Sequence, residues 1–209
     1  EIMSAKIFEL HPANPQTRSL NQIVEIIQDG GIMAYPTDSG YALGCALANG
    51  AGLERIRKIR QLDDKHHFTL VCHDFAQLGQ LVMVSNSQYR LIKSLTPGPY
   101  TFILKGTKEV PRATLNKKKH TVGVRIPAHK VALSLVEALG EAILSCTLLL
   151  PGDTEPLSDP VEVIAKLGHL LDIIVDAPIG SDQATTVINM EDDVPVVTRE
   201  GAGPVDFLQ

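Results

Sequence analysis

Several places in the sequence carry side chains that could do chemistry. The stretch Tyr35-Pro36-Thr37-Asp38-Ser39-Gly40-Tyr41-Ala42-Leu43-Gly44 sets two hydroxyls, a carboxylate and a glycine directly after the apolar run Gly31-Ile32-Met33-Ala34. Polar groups leaving the end of a buried strand are a common way for an α/β fold to build a site. The same residues also suit a Pro-Thr-Asp turn between two strands, with side chains that only cap their own backbone. Lys58 and Arg60 stand two apart and do not share a helix face, so both reach one phosphate only if a helix ends there; otherwise they are ordinary surface cations. Arg125 places a cation inside the apolar run Val122–Pro127 and so requires a partner or an anionic ligand. Arg199, in Thr198-Arg199-Glu200-Gly201, poses the same question near the C-terminus. No Cys/His/Asp set at ligand spacing accompanies His66-His67, which argues against a protein-held metal. There is no P-loop, GxGxxG, GxSxG or HExxH.

Charge is distributed unevenly. The chain of 209 residues has a net charge of −5, yet between Arg55 and Lys130 there are 15 Lys+Arg against 4 Asp+Glu. A basic middle in an acidic chain suggests a surface for nucleotide phosphates or RNA, with Arg57, Lys65, Lys117, Lys118 and Lys119 as candidate RNA contacts; a solvated helix face and a Lys-rich loop account for the same numbers. Aromatic residues at 4% leave little for stacking on single strands, so duplex or structured RNA fits better. Cys45, Cys72 and Cys146 lie in apolar runs without CxxC spacing, which reads as buried reduced thiols in a cytoplasmic protein. The start shows no basic region followed by an apolar core, and the longest apolar run, near 142–150, is too short to cross a membrane.

The elements that must position these residues alternate between helix and strand. Asn14 and Pro15 suit the start of a helix with Leu20, Ile23, Val24 and Ile27 as its apolar stripe, closed by Gly30-Gly31. A strand over Ile32–Tyr35 should stop at Pro36. Leu53, Ile56 and Ile59 mark a second helix, and helices over 74–81, 86–95, 129–139 and 158–170 follow. Strands are expected at 68–72, 100–104, 121–127, 142–150, 172–176, 186–190 and 194–198. Thr96-Pro97-Gly98-Pro99 and Pro151-Gly152 act as breakers. With no repeat and no dividing linker, the chain reads as one α/β domain over 1–209 around a mixed sheet.

Taken in order, the motifs resemble one family. Residues 35–44 are similar to the Y-P-T-[DE]-[TS]-x-Y-x-L-G opening of the YrdC/YciO family. Lys58-Ile59-Arg60 with His67-Phe68-Thr69-Leu70 resembles its K-x-R…N-P-L segment, and Thr96–Thr101 its P-G-P-x-T turn. Val122–Pro127 resembles V-G-x-R-x-P, Ala184–Ile188 resembles P-S-T-V-[IV], and Thr198–Gly201 the closing R-x-G. The six motifs span about residues 15–203. The resemblance implies a twisted open sheet around a basic cavity. It also implies an activity: synthesis of threonylcarbamoyl-AMP from L-threonine, bicarbonate and ATP with Mg2+, for transfer to a tRNA adenosine. On that basis Lys58 and Arg60 would bind the triphosphate, Thr147 and Arg199 would assist with the nucleotide, and Thr37, Arg125, His67 and Thr185 would hold the substrate. Thr37, Lys58 and Arg60 would carry the catalysis through positioning and electrostatics.

Two departures qualify the resemblance. The synthases carry a T-S-A-N-x-S-G segment, whereas Cys146-Thr147-Leu148-Leu149-Leu150-Pro151-Gly152 places Leu149 at the asparagine position. Leucine neither donates nor accepts a hydrogen bond. His66-His67 replaces the usual N-P. This is the pattern of the YciO branch, for which a non-catalytic module for double-stranded RNA is the alternative to an enzyme.

Overall fold

The computed structural model describes residues 4–62 and 66–208. Ten strands form one sheet: β1 (Lys6–Glu9), β2 (Met33–Thr37), β3 (Gly40–Ala46), β4 (Thr69–Val71), β5 (Tyr100–Lys105), β6 (Thr121–Arg125), β7 (Ile143–Thr147), β8 (Ile173–Asp176), β9 (Thr186–Asn189) and β10 (Val196–Arg199). Their order across the sheet is β1-β8-β2-β3-β7-β4-β6-β5-β9-β10. Pairing is mixed: β1–β8, β2–β8, β4–β6 and β5–β9 are parallel and the remaining pairs antiparallel.

Among the described residues six α-helices cover the sheet: α1 (Thr17–Gln28), α2 (Gly50–Arg60), α3 (Phe75–Leu81), α4 (Asn86–Leu95), α5 (Lys130–Leu139) and α6 (Pro160–Leu167). Side chains alternate across a strand, so each strand feeds two faces. Leu20, Ile23 and Ile27 of α1 pack with Val131, Leu135 and Val136 of α5 over Met33, Tyr35, Val71 and Ile143 on one face. On the other face Leu53 and Ile56 of α2, Leu78 of α3, Ile92 of α4 and Val163 of α6 pack over Ala34, Leu43, Leu70, Phe102, Val124 and Ile188.

That division locates the site. The register pairs Val71 with Arg125, Thr69 with Gly123 and Ser145, Gly123 with Ile103, and Ile103 with Asn189. Paired residues share a face, so Thr69, Thr101, Gly123, Arg125, Val187 and Asn189 lie on the α1/α5 side. Here the strand positions that would meet a helix elsewhere carry mostly threonine, arginine and asparagine, and line a cavity.

Several boundaries differ from the sequence expectation for physical reasons. Helix α1 begins at Thr17, because His11 Nδ1 accepts the backbone N–H groups of Ala13 and Asn14 and ties Asn14-Pro15 into the preceding turn. Strand β2 runs through Pro36 to Thr37. Pro36 faces Tyr41, whose own N–H points away to Leu157, so the pair exchanges no ladder bonds and the missing donor of Pro36 falls where β8 no longer pairs. Residues 40–46, expected as loop, form β3, and the short edge strand β1 was not expected at all. Strand β7 ends at Thr147 rather than Leu150, and α6 at Leu167 with Gly168 as its C-cap. Among the described residues no helix is long and apolar enough to cross a membrane. All three cysteines are buried and unpaired.

Candidate functional site

A small inner cavity of about 40 Å³ opens among Tyr35, Thr37, Thr69, Thr101, Arg125 and Thr185. Thr69, Thr101, Cys146, Thr147 and Thr185 also line a larger outer cavity of about 600 Å³, which adds Arg60, His67, Leu149, Asn189 and Arg199. The two are compartments of one site. Among the described residues lining the outer cavity there is no aspartate or glutamate, and Arg60 and Arg199 are the permanent cations.

The tip of the β2–β3 hairpin holds the inner end. Thr37 Oγ1 donates to the Gly40 carbonyl at 2.9 Å and accepts the Ser39 N–H at 2.9 Å, so this hydroxyl closes the turn while its side chain lines the cavity. Gly40 has φ +88, which glycine adopts without steric cost. Asp38 reaches across to the buried Arg125 guanidinium and accepts the Ala128 N–H at 2.9 Å. Arg125 thus has an internal carboxylate partner, and its buried Nε is left without one. The floor is saturated: Ser145 Oγ donates to the Leu43 carbonyl at 2.8 Å and takes the Tyr35 hydroxyl proton at 2.7 Å. Burial pushes the Tyr35 phenol up, so it stays protonated.

The cations of the outer compartment come from α2 and β10, and its other walls from β4, β5, β7, β9 and the segments beside them. Helix α2 ends at Arg60 through Gln61 in the left-handed conformation. Arg60 lies against the Cys146 thiol, and its Nε is buried without a partner. Burial pushes the Cys146 thiol up, with Arg60 opposing, so the sulfur is a neutral wall. A register shift between Val197 and Arg199 marks a bulge in β10, the kind of irregularity that re-aims a side chain. Arg199 then donates through Nε to the Thr185 carbonyl at 3.0 Å and through a terminal nitrogen to Thr185 Oγ1 at 2.9 Å. Thr185 Oγ1 meets Thr101 Oγ1 at 2.9 Å, which carries the chain of hydroxyls into the inner compartment. Gly201 permits this close packing, since a Cβ there would lie 2.2 Å from the Ala184 carbonyl oxygen.

Of the residues expected from sequence, the structure gathers Thr37, Arg60, His67, Arg125, Thr147, Thr185 and Arg199 around the two compartments. Lys58 is exposed on the last turn of α2 and lines neither. Among the RNA candidates, Arg57 lies over the Phe68 ring at 4.9 Å and near Glu54 at 3.5 Å. Lys117, Lys118 and Lys119 sit exposed on a turn before β6, with Lys119 Nζ 3.5 Å from Glu191. Lys65 lies outside the described residues. Asp38 belongs to the polar stretch singled out in the sequence, without the ion-pair role it takes here, whereas Thr69, Thr101, Thr121 and Asn189 are not assigned to the site from sequence. The legible signal is a threonine or asparagine inside strands that otherwise carry mostly apolar residues, as at Thr69, Thr101, Thr121 and Asn189. Among the described residues, no group of three or more His, Cys, Asp or Glu could hold a metal ion.

His129 caps α5 behind the hairpin. Its Nδ1 accepts the Ala132 N–H at 3.2 Å while Nε2–H donates to the Pro178 carbonyl at 2.8 Å, which requires the neutral ring. Burial lowers its pKa; the Pro178 contact and Asp38 oppose, and Arg125 adds to the lowering. A histidine shifted below its unfolded value of about 6.5 contributes stability above that pH and loses it as pH falls through the folded value. Urea unfolding should therefore show the wild type losing stability below about pH 6.5. His129→Asn, which keeps a capping side chain, should lose less over that range. Equal losses in the two proteins would remove His129 from this role.

Comparison with known proteins agrees with the fold. The Sua5/YciO/YrdC family model, described as telomere recombination, matches residues 25–201. YciO of Escherichia coli strain K12 is 50% identical over 201 residues, covering 96% of this chain and 98% of that protein. Its crystal structure superposes with a TM-score of 0.94 over 98% of this chain and all of that one. A threonylcarbamoyl-AMP synthase of Chromobacterium violaceum is 33% identical over 135 residues, 64% of this chain and 69% of that protein. Sua5 of P. abyssi, in a crystal structure with L-threonine, has a TM-score of 0.87 at 24% identity, covers 98% of this chain and 60% of that one, and so shows the shared fold alone. The chain belongs to the Sua5/YciO/YrdC family.

Proposed function

We propose that this protein binds a threonylcarbamoyl adenylate, with the amino-acid end in the inner compartment and the nucleotide in the outer one, and that it makes or breaks the carbamoyl–phosphate anhydride. The observation that supports this best is the shared wall. Five residues line both compartments, so one ligand with a small hydroxylated head and a phosphate-bearing nucleoside spans them. Hydroxyls and the free Nε edge of Arg125 suit the head. Arg60 and Arg199, with no carboxylate opposite, suit the phosphate. The synthase named above points to the same ligand class.

In the synthetic direction the substrates are ATP, L-threonine and bicarbonate. Mg2+ would enter with ATP, held by phosphate and water, because no carboxylate set is offered by the described cavity residues. The test is adenylate and pyrophosphate formation from these substrates. Product should require all three, and Arg60→Ala should lower the rate by about 10²-fold or more while Lys58→Ala lowers it far less. Equal losses in the two variants would contradict the placement of Arg60, and a wild type that neither forms nor cleaves the adenylate would contradict the function.

A second reading follows from Leu149, which lines the outer cavity where the synthase pattern carries asparagine, and from the exposed Lys117–Lys119 turn. In it the basic surface binds tRNA or duplex RNA without nucleotide chemistry. Affinity for duplex RNA would then fall steeply with salt and flatten in a Lys117/Lys118/Lys119→Ala variant. A flat salt dependence in the wild type would exclude it.

A further inference from the structure

Carbamoyl–phosphate chemistry with water needs a proton acceptor, and few of the described residues lining the outer compartment can serve as one. Among the described residues that line it there is no carboxylate, its arginines are permanent cations, and burial keeps the Cys146 thiol protonated. What remains is a pair of histidines. His66 packs edge-on against the Phe68 ring at 5.9 Å. His67 is anchored differently: its Nε2 lies 2.8 Å from Thr121 Oγ1, and Thr121 is fully buried at the start of β6. When Nε2–H donates to that hydroxyl, Nδ1 is left as the acceptor.

We infer that His67, oriented by Thr121, accepts the proton from water at the outer compartment during cleavage of a carbamoyl–phosphate anhydride. The inference rests on the reading of the site given above. Water loses one proton to His67 Nδ1 as its oxygen bonds to the carbamoyl carbon. The carbon–oxygen bond to phosphate breaks, and its electron pair leaves with AMP. The carbamic acid formed releases its own proton to solvent, as His67 does afterwards.

Among the described residues, several charged groups face His67 or share its cavity wall. Lys119 is on the turn before β6 and Glu191 follows β9; the two meet at 3.5 Å, with Asn189 Nδ2 holding Glu191 at 3.2 Å. Arg60 and Arg199 belong to the same cavity wall. Burial lowers the His67 pKa, Glu191 opposes and Lys119 adds to the lowering, so the ring is neutral and able to accept at neutral pH. Thr121 acts through His67 and is a positioning residue.

The experiment follows AMP release from freshly prepared threonylcarbamoyl-AMP across pH 5–9, with AMP affinity measured in parallel by calorimetry. The wild-type rate should rise with pH through the titration of His67, read independently from its imidazole nitrogens by NMR, and then level off. His67→Gln should lower kcat by about 10²-fold or more and flatten the profile while AMP affinity is kept. Thr121→Val should shift the midpoint and lower kcat with KM unchanged. A His67→Gln protein with the wild-type rate and profile would overturn the inference and leave the site reading intact. So would a wild type that binds AMP without accelerating its release. A wild type that binds no AMP would overturn the site reading and the inference together.

Discussion

Asp38→Ala should destabilise the protein by about 3–5 kcal/mol, the usual cost of removing one partner from a buried ion pair. The carboxylate serves both the buried Arg125 guanidinium and the Ala128 N–H, so its loss strands two donors at once. Arg125 is 5% exposed and already lacks a partner at Nε, so little solvent can compensate. Urea unfolding measures the loss directly. The double variant Asp38→Ala/Arg125→Met should recover most of it, because it removes the uncompensated charge as well. A single variant that unfolds at the wild-type urea midpoint would mean that Arg125 does not depend on Asp38.

A gain of nucleotide affinity is expected at Leu149. Its side chain places hydrocarbon on the wall of the phosphate-bearing compartment, where a donor would meet a nucleotide. Leu149→Asn should tighten ATP binding about tenfold to a hundredfold, the worth of one hydrogen bond to a charged group at about 1.5–3 kcal/mol. Leu149→Ala removes the same hydrocarbon without adding a donor and should leave affinity near the wild-type value. Calorimetry on the three proteins decides the matter, and an asparagine variant no tighter than the alanine one would show that this position does not face the nucleotide.

Most helices were legible in sequence because a stripe of apolar residues is closed by a cap, whereas α1 has the stripe without a side-chain cap. Ser85 with Gln88 makes a full capping box, and Asn49, Asp74 and Asp159 each accept a backbone N–H at a helix start. Strand β3 was not legible, since Gly40-Tyr41-Ala42-Leu43-Gly44 alternates small and large rather than polar and apolar. Its glycines answer to close packing: a Cβ on Gly44 would meet Tyr35 at 2.9 Å and Ile143 at 2.8 Å. The cations of the site could be picked out because a charge in an apolar run demands a partner. Which partner they take could not, because Asp38 and Arg125 are brought together by strands far apart in the chain. Lys58 and Arg60 show the same limit. Their spacing fits one ligand, yet the end of α2 puts Arg60 on the cavity and leaves Lys58 exposed.

The central claim is that one ligand spans two joined compartments, and calorimetry tests it most directly. The protein is titrated with ATP·Mg2+ alone and again with L-threonine and bicarbonate present. The account predicts that ATP binds, that threonine with bicarbonate tightens it, and that Arg60→Ala abolishes the heat in both titrations. By linkage, ATP must then tighten threonine to the same degree. Binding of ATP that is indifferent to threonine, or no binding of either, would contradict it.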